Sequence, residues 1–207
     1  MCMKLLNEKL RDDLLEEGKR EFLEKGFQGT SMRSIAGALG VTTGAIYRYY
    51  ADKEDLFDTL VKDAADELVG KYRNVQQQFA EMPIGEQLSG LPQISDEGQE
   101  WMLECIYDHF DAFKLIACSA VGTKYEHYID TLVEIEANSS RVLIDRMEEE
   151  GILKHNMDDE LIHIVSNTLF SGMFETVRHD MPKEKARDYF VSLKEFYAAG
   201  WFKLLGI

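Results

Sequence analysis

The chain has 207 residues, of which 45% are hydrophobic and 11% aromatic, which excludes a disordered polymer and leaves room for one large or two small cores. Only three prolines and few alternating apolar stretches point to an all-α fold rather than a sandwich or barrel. A formal net charge of −15 argues at first against a nucleic-acid ligand. The distribution removes that objection. Residues 1–53 hold nine Lys/Arg against eight Asp/Glu, a balance of +1, so the remainder holds fourteen against thirty, a balance of −16. A near-neutral head can dock on DNA while an acidic body is repelled from it, which fixes orientation. Within the head the acidic residues Asp12, Asp13, Glu16 and Glu17 cluster early. From Lys25 to Lys53 there are four basic residues and one acidic, Asp52.

A first helix is expected from about 7 to 25, with Leu10, Leu14, Leu15, Phe22 and Leu23 on its buried side. Gly26 ends it and Phe27 packs back. The segment Thr30–Lys53, TSMRSIAGALGVTTGAIYRYYADK, then reads as two short helices joined by a tight turn. Thr30 or Ser31 caps the first, whose Ile35, Ala36 and Leu39 recur at helical spacing. Gly40 stops it and Val41 fills the corner. Thr42 or Thr43 caps the second, with Ile46 and Tyr50 facing inward and Ala45, Arg48 and Tyr49 outward. The small residues Thr43, Gly44 and Ala45 allow close approach to a groove, and Tyr47, Arg48, Tyr49 and Lys53 reach phosphates and base edges.

Asp52 caps a fourth helix, with Asp55 in a capping-box-like position. Leu56, Phe57, Leu60, Val61, Ala64, Ala65, Leu68, Val69 and Tyr72 make it long and amphipathic. Pro83, Gly85, Gly90, Pro92 and Gly98 predict a loop or short helical pieces between about 80 and 98. A helix is expected over about 97–117, broken at Gly122. Another follows over about 124–150, closed by Gly151. Asp158 caps the next, which runs to about 179, and Pro182 opens the last. The sum is about nine helices. Thr168, Ser171 and Gly172 form a small-residue stretch that admits another helix. The final helix carries Tyr189, Phe190, Leu193, Phe196, Tyr197, Trp201 and Leu204, more apolar bulk than one buried stripe needs, so a partner is expected.

No catalytic constellation is present, so no enzyme activity, cofactor or metal is expected. His109, His127, His155, His163 and His179 follow no ligand motif, and the pairs Cys105/His109 and Glu175/His179 read as packing. Glu100, Glu104, Asp108 and Asp111 read as a solvated face. An inward carboxylate there favours a cationic ligand. Met102, Ile106, Phe110 and Phe113 can face Tyr125, Tyr128 and Leu132, with Phe170, Met173 and Phe174 closing a pocket for an amphipathic small molecule. The same stripe also fits an ordinary helical core. Cys2, Cys105 and Cys118 show no pairing pattern, as in a reducing cytoplasm. Neither an export signal nor a membrane span is expected, because charged residues interrupt every apolar run.

The spacing of Thr30, Arg33, Ile35, Ala36, Leu39, Gly40, Val41, Gly44, Ile46, Tyr47, Tyr49, Lys53, Glu54, Leu56 and Phe57 resembles the tetracycline-repressor (TetR/AcrR) family of one-component regulators. It covers about the first quarter of the chain. Tyr50 stands where that family usually has Phe, and Tyr49 where His is common, which bears on operator preference more than on fold. The resemblance implies a DNA-binding domain at 1–52 and a ligand-binding and dimerisation domain at 53–207, with the fourth helix as connector. It implies a homodimer on a palindromic operator, most simply a repressor released by a small-molecule effector. An activator or dual regulator, or a helical interaction adaptor, are the alternatives. By the same resemblance Arg33 contacts guanine or phosphate, Thr42 and Thr43 bind phosphate beside Gly44, and Ala45 touches base methyls. Tyr47 and Lys53 clamp the backbone, and Arg48 and Tyr49 read bases or phosphate. The last two helices form a four-helix bundle between subunits through Thr168, Ser171, Gly172, Leu193, Phe196, Tyr197 and Trp201.

Overall fold

The computed structural model describes the backbone of residues 2–153 and 157–206, and the side chains of 8–91, 95–153 and 157–206. The side chains of Cys2 and Pro92, and all of His155, lie outside the described residues. Within them the chain is all α: α1 (Cys2–Gly29), α2 (Met32–Ala38), α3 (Thr43–Ile46), α4 (Lys53–Glu81), α5 (Ile84–Asp108), α6 (Phe110–Ser119), α7 (Tyr128–Glu149), α8 (Asp159–Arg178) and α9 (Lys183–Leu205). None of these helices is long and apolar enough to cross a membrane. Two compact units result, one of residues 1–66 with 109–126, the other of residues 67–108 with 127–207.

The first unit is built around α1. Leu14, Phe22, Ile35, Ile46, Leu56, Phe57 and Phe113 are fully buried in it. Phe22 and Phe57 meet edge to face at 5.1 Å, and Phe27 closes the cluster 5.6 Å from Phe57. Gly26 interrupts α1 at φ 70°, ψ 168°, a conformation that suits glycine, and the chain makes one more turn to Gly29. Thr30 does not cap α2. Its hydroxyl is buried and donates to the carbonyls of Glu21 (3.0 Å) and Gly26 (2.9 Å). Ser31 is the cap, in a reciprocal box with Ser34. Gly40 at φ 66° ends α2 in a Schellman motif, with Val41 N–H donating to Ala36 O and Gly40 N–H to Gly37 O.

The second unit packs the remaining helices on a core of Leu103, Ile106, Leu132, Val133, Phe170, Phe174, Val177 and Phe190. The corner between α4 and α5 is tied by Arg146, which donates to Ala80 O, Met82 O and Gln87 Oε1 at 2.8–3.0 Å. Buried Gln87 in turn donates to Phe79 O at 2.6 Å. Asp158 caps α8 through Leu161 N–H, and Pro182 occupies the cap position of α9. The loop or short helical pieces expected over about 80–98 are instead mostly one continuous helix, since α5 runs unbroken from Ile84 to Asp108. Pro83 precedes it and accepts from Glu86 and Gln87 N–H, so the proline opens the helix rather than breaking one. The expected single helix over 97–117 is two, because His109 leaves helical geometry at φ −117°, ψ 38°. The face carrying Glu100, Glu104 and Asp108 is not simply solvated. Lys183 and Arg187 of α9 pair with it, Lys183 to Glu104 at 2.6 Å and Arg187 to Glu104 at 2.7 Å. Asp111 pairs with Lys19 in the first unit.

Candidate DNA interface and ligand cavity

The turn between α2 and α3 presents a polar surface on a fixed frame. Its inner side is anchored by Ile35, Ala36, Ile46 and Tyr50, all buried. The frame is tied to α1 through Ser34, whose hydroxyl donates to Glu21 Oε2 at 2.6 Å. Glu21 is a buried carboxylate that also meets Lys25 at 3.2 Å. On the outer side Arg33, Thr42, Gly44, Tyr47 and Arg48 are exposed, Tyr47 by 53%, while Thr43, Ala45 and Tyr49 are half-buried. A large aromatic held in the open on a rigid turn has no role in the core. Thr42 begins α3 without using its hydroxyl as a cap.

α3 is shorter than the sequence suggested. Regular helix ends at Ile46, and residues 47–49 continue as tightened turns, Tyr49 N–H donating to Ile46 O at 2.8 Å. Arg48 and Tyr49 therefore sit on a turn, not on a helix face. Lys53 is half-buried and already engaged. Its ammonium donates to Phe27 O (2.6 Å) and Thr30 O (2.9 Å) and lies 4.1 Å above the Phe27 ring. Burial lowers its pKa from the usual lysine value. Two of its three N–H donors are thus spent on the protein.

The second unit forms a partly open cavity of about 320 Å³ lined by residues of α4, α5, α7, α8 and α9. Its walls are mainly apolar and aromatic, and both tryptophans of the chain, Trp101 and Trp201, line it. Of the ten residues expected to form a pocket, Met102, Phe170 and Met173 line this cavity. Ile106, Tyr128, Leu132 and Phe174 are buried elsewhere in the same unit, and Phe110, Phe113 and Tyr125 belong to the first unit. Tyr125 donates its hydroxyl to Asp58 at 2.5 Å there. The polar wall escaped the sequence reading. Glu136 on α7 accepts through one oxygen, Oε2, from the Tyr72 hydroxyl and from Gln76 Nε2 (2.8 Å). Ser139 donates to Gln76 Oε1 at 2.7 Å. Burial pushes the Glu136 carboxyl above the usual carboxylate range, against the two donors. Tyr72 and Gln76 stand one turn apart on α4, and Glu136 is one of many acidic residues in this body. Nothing in the spacing distinguishes it.

The residues proposed for a subunit interface divide. Thr168 and Phe196 are exposed, Phe196 by 71%, while Ser171, Gly172, Leu193, Tyr197 and Trp201 are half-buried. A Cβ on Gly172 would stand 3.4 Å from Leu193 Cδ1 of the same chain, so this position faces α9 within the protomer. Tyr197 and Trp201 turn toward the cavity. Among the described residues no group of His, Cys, Asp and Glu is arranged to hold a metal ion.

Comparison with known proteins agrees with the turn. The model of the family described as bacterial regulatory proteins, tetR family, matches residues 14–60. The chain is 36% identical over 153 residues to the HTH-type transcriptional repressor KstR2 of Mycobacterium tuberculosis, covering 74% of each chain. It is 28% identical to the HTH-type transcriptional regulator AcrR of Shigella flexneri, covering 90% of this chain and 88% of that one. The solved structure of the ketosteroid transcriptional regulator KstR2 of Mycobacterium tuberculosis superposes with a TM-score of 0.55 at 21% identity, covering 88% of this chain and 92% of that one. That likeness extends the shared all-α fold to both units. The chain belongs to the TetR family of bacterial transcriptional regulators.

Proposed function

We propose that the protein is a homodimeric repressor that binds a palindromic operator and leaves it when a small molecule occupies the cavity of the second unit. The observation that carries the reading is the exposed set Arg33, Thr42, Tyr47 and Arg48 on a turn whose opposite side is fully anchored. In this reading residues 1–52 bind DNA, and residues 53–207 hold the effector and the subunit interface. Arg33 contacts guanine or phosphate, while Thr42, Thr43 and Gly44 approach phosphate. Ala45 meets base methyls, and Arg48 and Tyr49 meet bases or phosphate. Tyr47 clamps the backbone, and Lys53 adds its remaining donor. The repressor assignment follows the printed name of the Mycobacterium tuberculosis relative.

The dimer face is assigned to the exposed apolar residues of α8 and α9, Ile164, Tyr189, Phe196 and Leu204 among them. A twofold dimer presents two heads to two half-sites. Release requires an effector that binds one conformation better than the other, so that the heads cease to match the half-site spacing. Selection of bound duplexes from a random library by the purified protein tests the reading. An enriched sequence with twofold symmetry supports it. No enrichment, with or without added cell extract, contradicts it.

A further inference from the structure

Among the described residues the cavity lining contains one carboxylate, Glu136, and one ammonium, Lys194, and only the ammonium is paired. Lys194 is neutralised by Asp96. Glu136 has hydrogen-bond donors in Tyr72 and Gln76 but no ion-pair partner among the described residues. A carboxylate in an apolar wall without a cation is costly, so such groups are paired, or await the charge that pairs them. Its raised pKa is the state expected of a carboxylate in that position. The Gln76–Ser139 bond holds the donor that orients the carboxylate. The same cavity is lined by the aromatic rings of Phe79, Phe170, Tyr197 and Trp201, side chains that attract a cation and an apolar body alike, while Trp101 already carries the Lys71 ammonium 4.2 Å over its ring.

We propose that this cavity takes an organic monocation, an ammonium or amidinium carried on an apolar body, with Glu136 as its counter-charge. The proposal rests on the reading of the cavity as the effector site and adds the chemical class of the effector. An anionic ligand meets an unpaired carboxylate of like sign, and the one lysine of the lining is already paired. A neutral apolar ligand brings the Glu136 carboxylate no counter-charge. The volume of about 320 Å³ lies at the small end of ligand pockets, which suits a single ring system with a short charged arm.

The test uses three probes of one shape: a naphthylalkyl trimethylammonium, its uncharged tert-butyl isostere, and the corresponding naphthylalkyl carboxylate. Because both tryptophans of the chain line the cavity, tryptophan fluorescence of the full-length protein reports occupancy directly. The expected result is binding of the ammonium about tenfold or more tighter than the isostere, with the carboxylate weakest. Glu136→Gln, shown to be folded by circular dichroism, keeps the isostere and loses most of the preference for the ammonium. Equal binding of ammonium and isostere, a preference for the carboxylate, or a preference unchanged in Glu136→Gln overturns the proposal. So does absence of binding by all three probes at millimolar concentration. The effector reading is judged separately, by adding the ammonium to the complex with a selected duplex. Selective binding through Glu136 without any change in DNA affinity leaves the ligand class standing and removes the release mechanism.

Discussion

Gly18 of α1 lies so close to Leu56 of α4 that a Cβ on it would stand 2.9 Å from Leu56 Cδ2 and 3.3 Å from Cγ. Leu56 is fully buried, so it has no space to withdraw into. Alanine is the better helix former by about 1 kcal/mol. Overpacking of a filled core costs roughly 1–3 kcal/mol. Gly18→Ala is therefore expected to lower the thermal midpoint despite the gain in propensity. A midpoint equal to or above the wild-type value would show that the two helices are not in close contact.

Glu136 gives stability a pH dependence whose sign follows from its surroundings. Burial raises its folded pKa above the ordinary carboxylate value, against the hydrogen bonds from Tyr72 and Gln76. Between the two values the folded state binds more protons than the unfolded one, so unfolding free energy falls as pH rises through the folded pKa. Wherever the group is ionised without a ligand, it is a net cost. Glu136→Gln is expected to raise the midpoint at pH 7, by roughly 2–4 °C for each kcal/mol recovered. The gain should shrink as pH falls through the raised folded pKa. A variant less stable than wild type at pH 7 contradicts this.

Arg33 is assigned a base contact, so its removal should act on discrimination. Arg33→Ala is expected to weaken binding to the selected duplex by about 1–3 kcal/mol and to weaken scrambled DNA less, if the contact is bidentate to guanine. Competition titrations at fixed salt measure both. Equal loss on the two duplexes reduces Arg33 to a phosphate contact.

Tyr47 and Lys53 are both placed on the DNA backbone, but their surroundings separate them. Tyr47→Ala should weaken all duplexes alike and leave stability within about 0.5 kcal/mol, because the ring is exposed. Lys53→Ala should weaken all duplexes alike and also destabilise the fold by about 1–3 kcal/mol, since Phe27 O and Thr30 O lose their donor. Denaturant titration distinguishes the two residues. Equal stability of both variants removes the structural role given to Lys53.

Phe196 is the most exposed large apolar side chain described, and it stacks edge to face on Tyr197 at 5.4 Å. If α8 and α9 form the subunit interface, Phe196→Glu places a charge in it and yields a folded monomer by sedimentation. The same variant should lose affinity for a palindromic duplex more than for an isolated half-site. A dimer of unchanged strength moves the interface elsewhere.

The reading head was legible because its signals are local. Ser31, Gly40, Asp52 and the apolar spacing of Ile35, Ala36 and Ile46 each fix one backbone feature within a few residues. α5 was not legible, because Gly85, Gly90 and Gly98 lower propensity without forbidding a helix, and tertiary ties decided the matter. Those ties are Arg146 and Gln87, which meet the α4–α5 corner from 59 and 8 residues away in sequence. The break at His109 has no signal, since apolar spacing runs through it. The pocket stripe failed for the same reason. Phe110 and Phe113 follow the break and are carried into the first unit, whereas Met102 precedes it and reaches the cavity. Glu136 could be found only in three dimensions, where it separates from the many carboxylates that meet solvent or a cation.

The exposed residues of the α2–α3 turn are proposed to read DNA. The most direct test compares wild type with the combined variant Arg33→Ala, Tyr47→Ala, Arg48→Ala on a selected duplex and a scrambled one, at one salt concentration. These side chains are exposed, so the variant should keep its circular dichroism spectrum and thermal midpoint. Wild type is expected to prefer the selected duplex by about 10³ or more, and the variant to lose that preference together with most of its affinity. A folded variant that still discriminates between the duplexes would take DNA reading away from these residues.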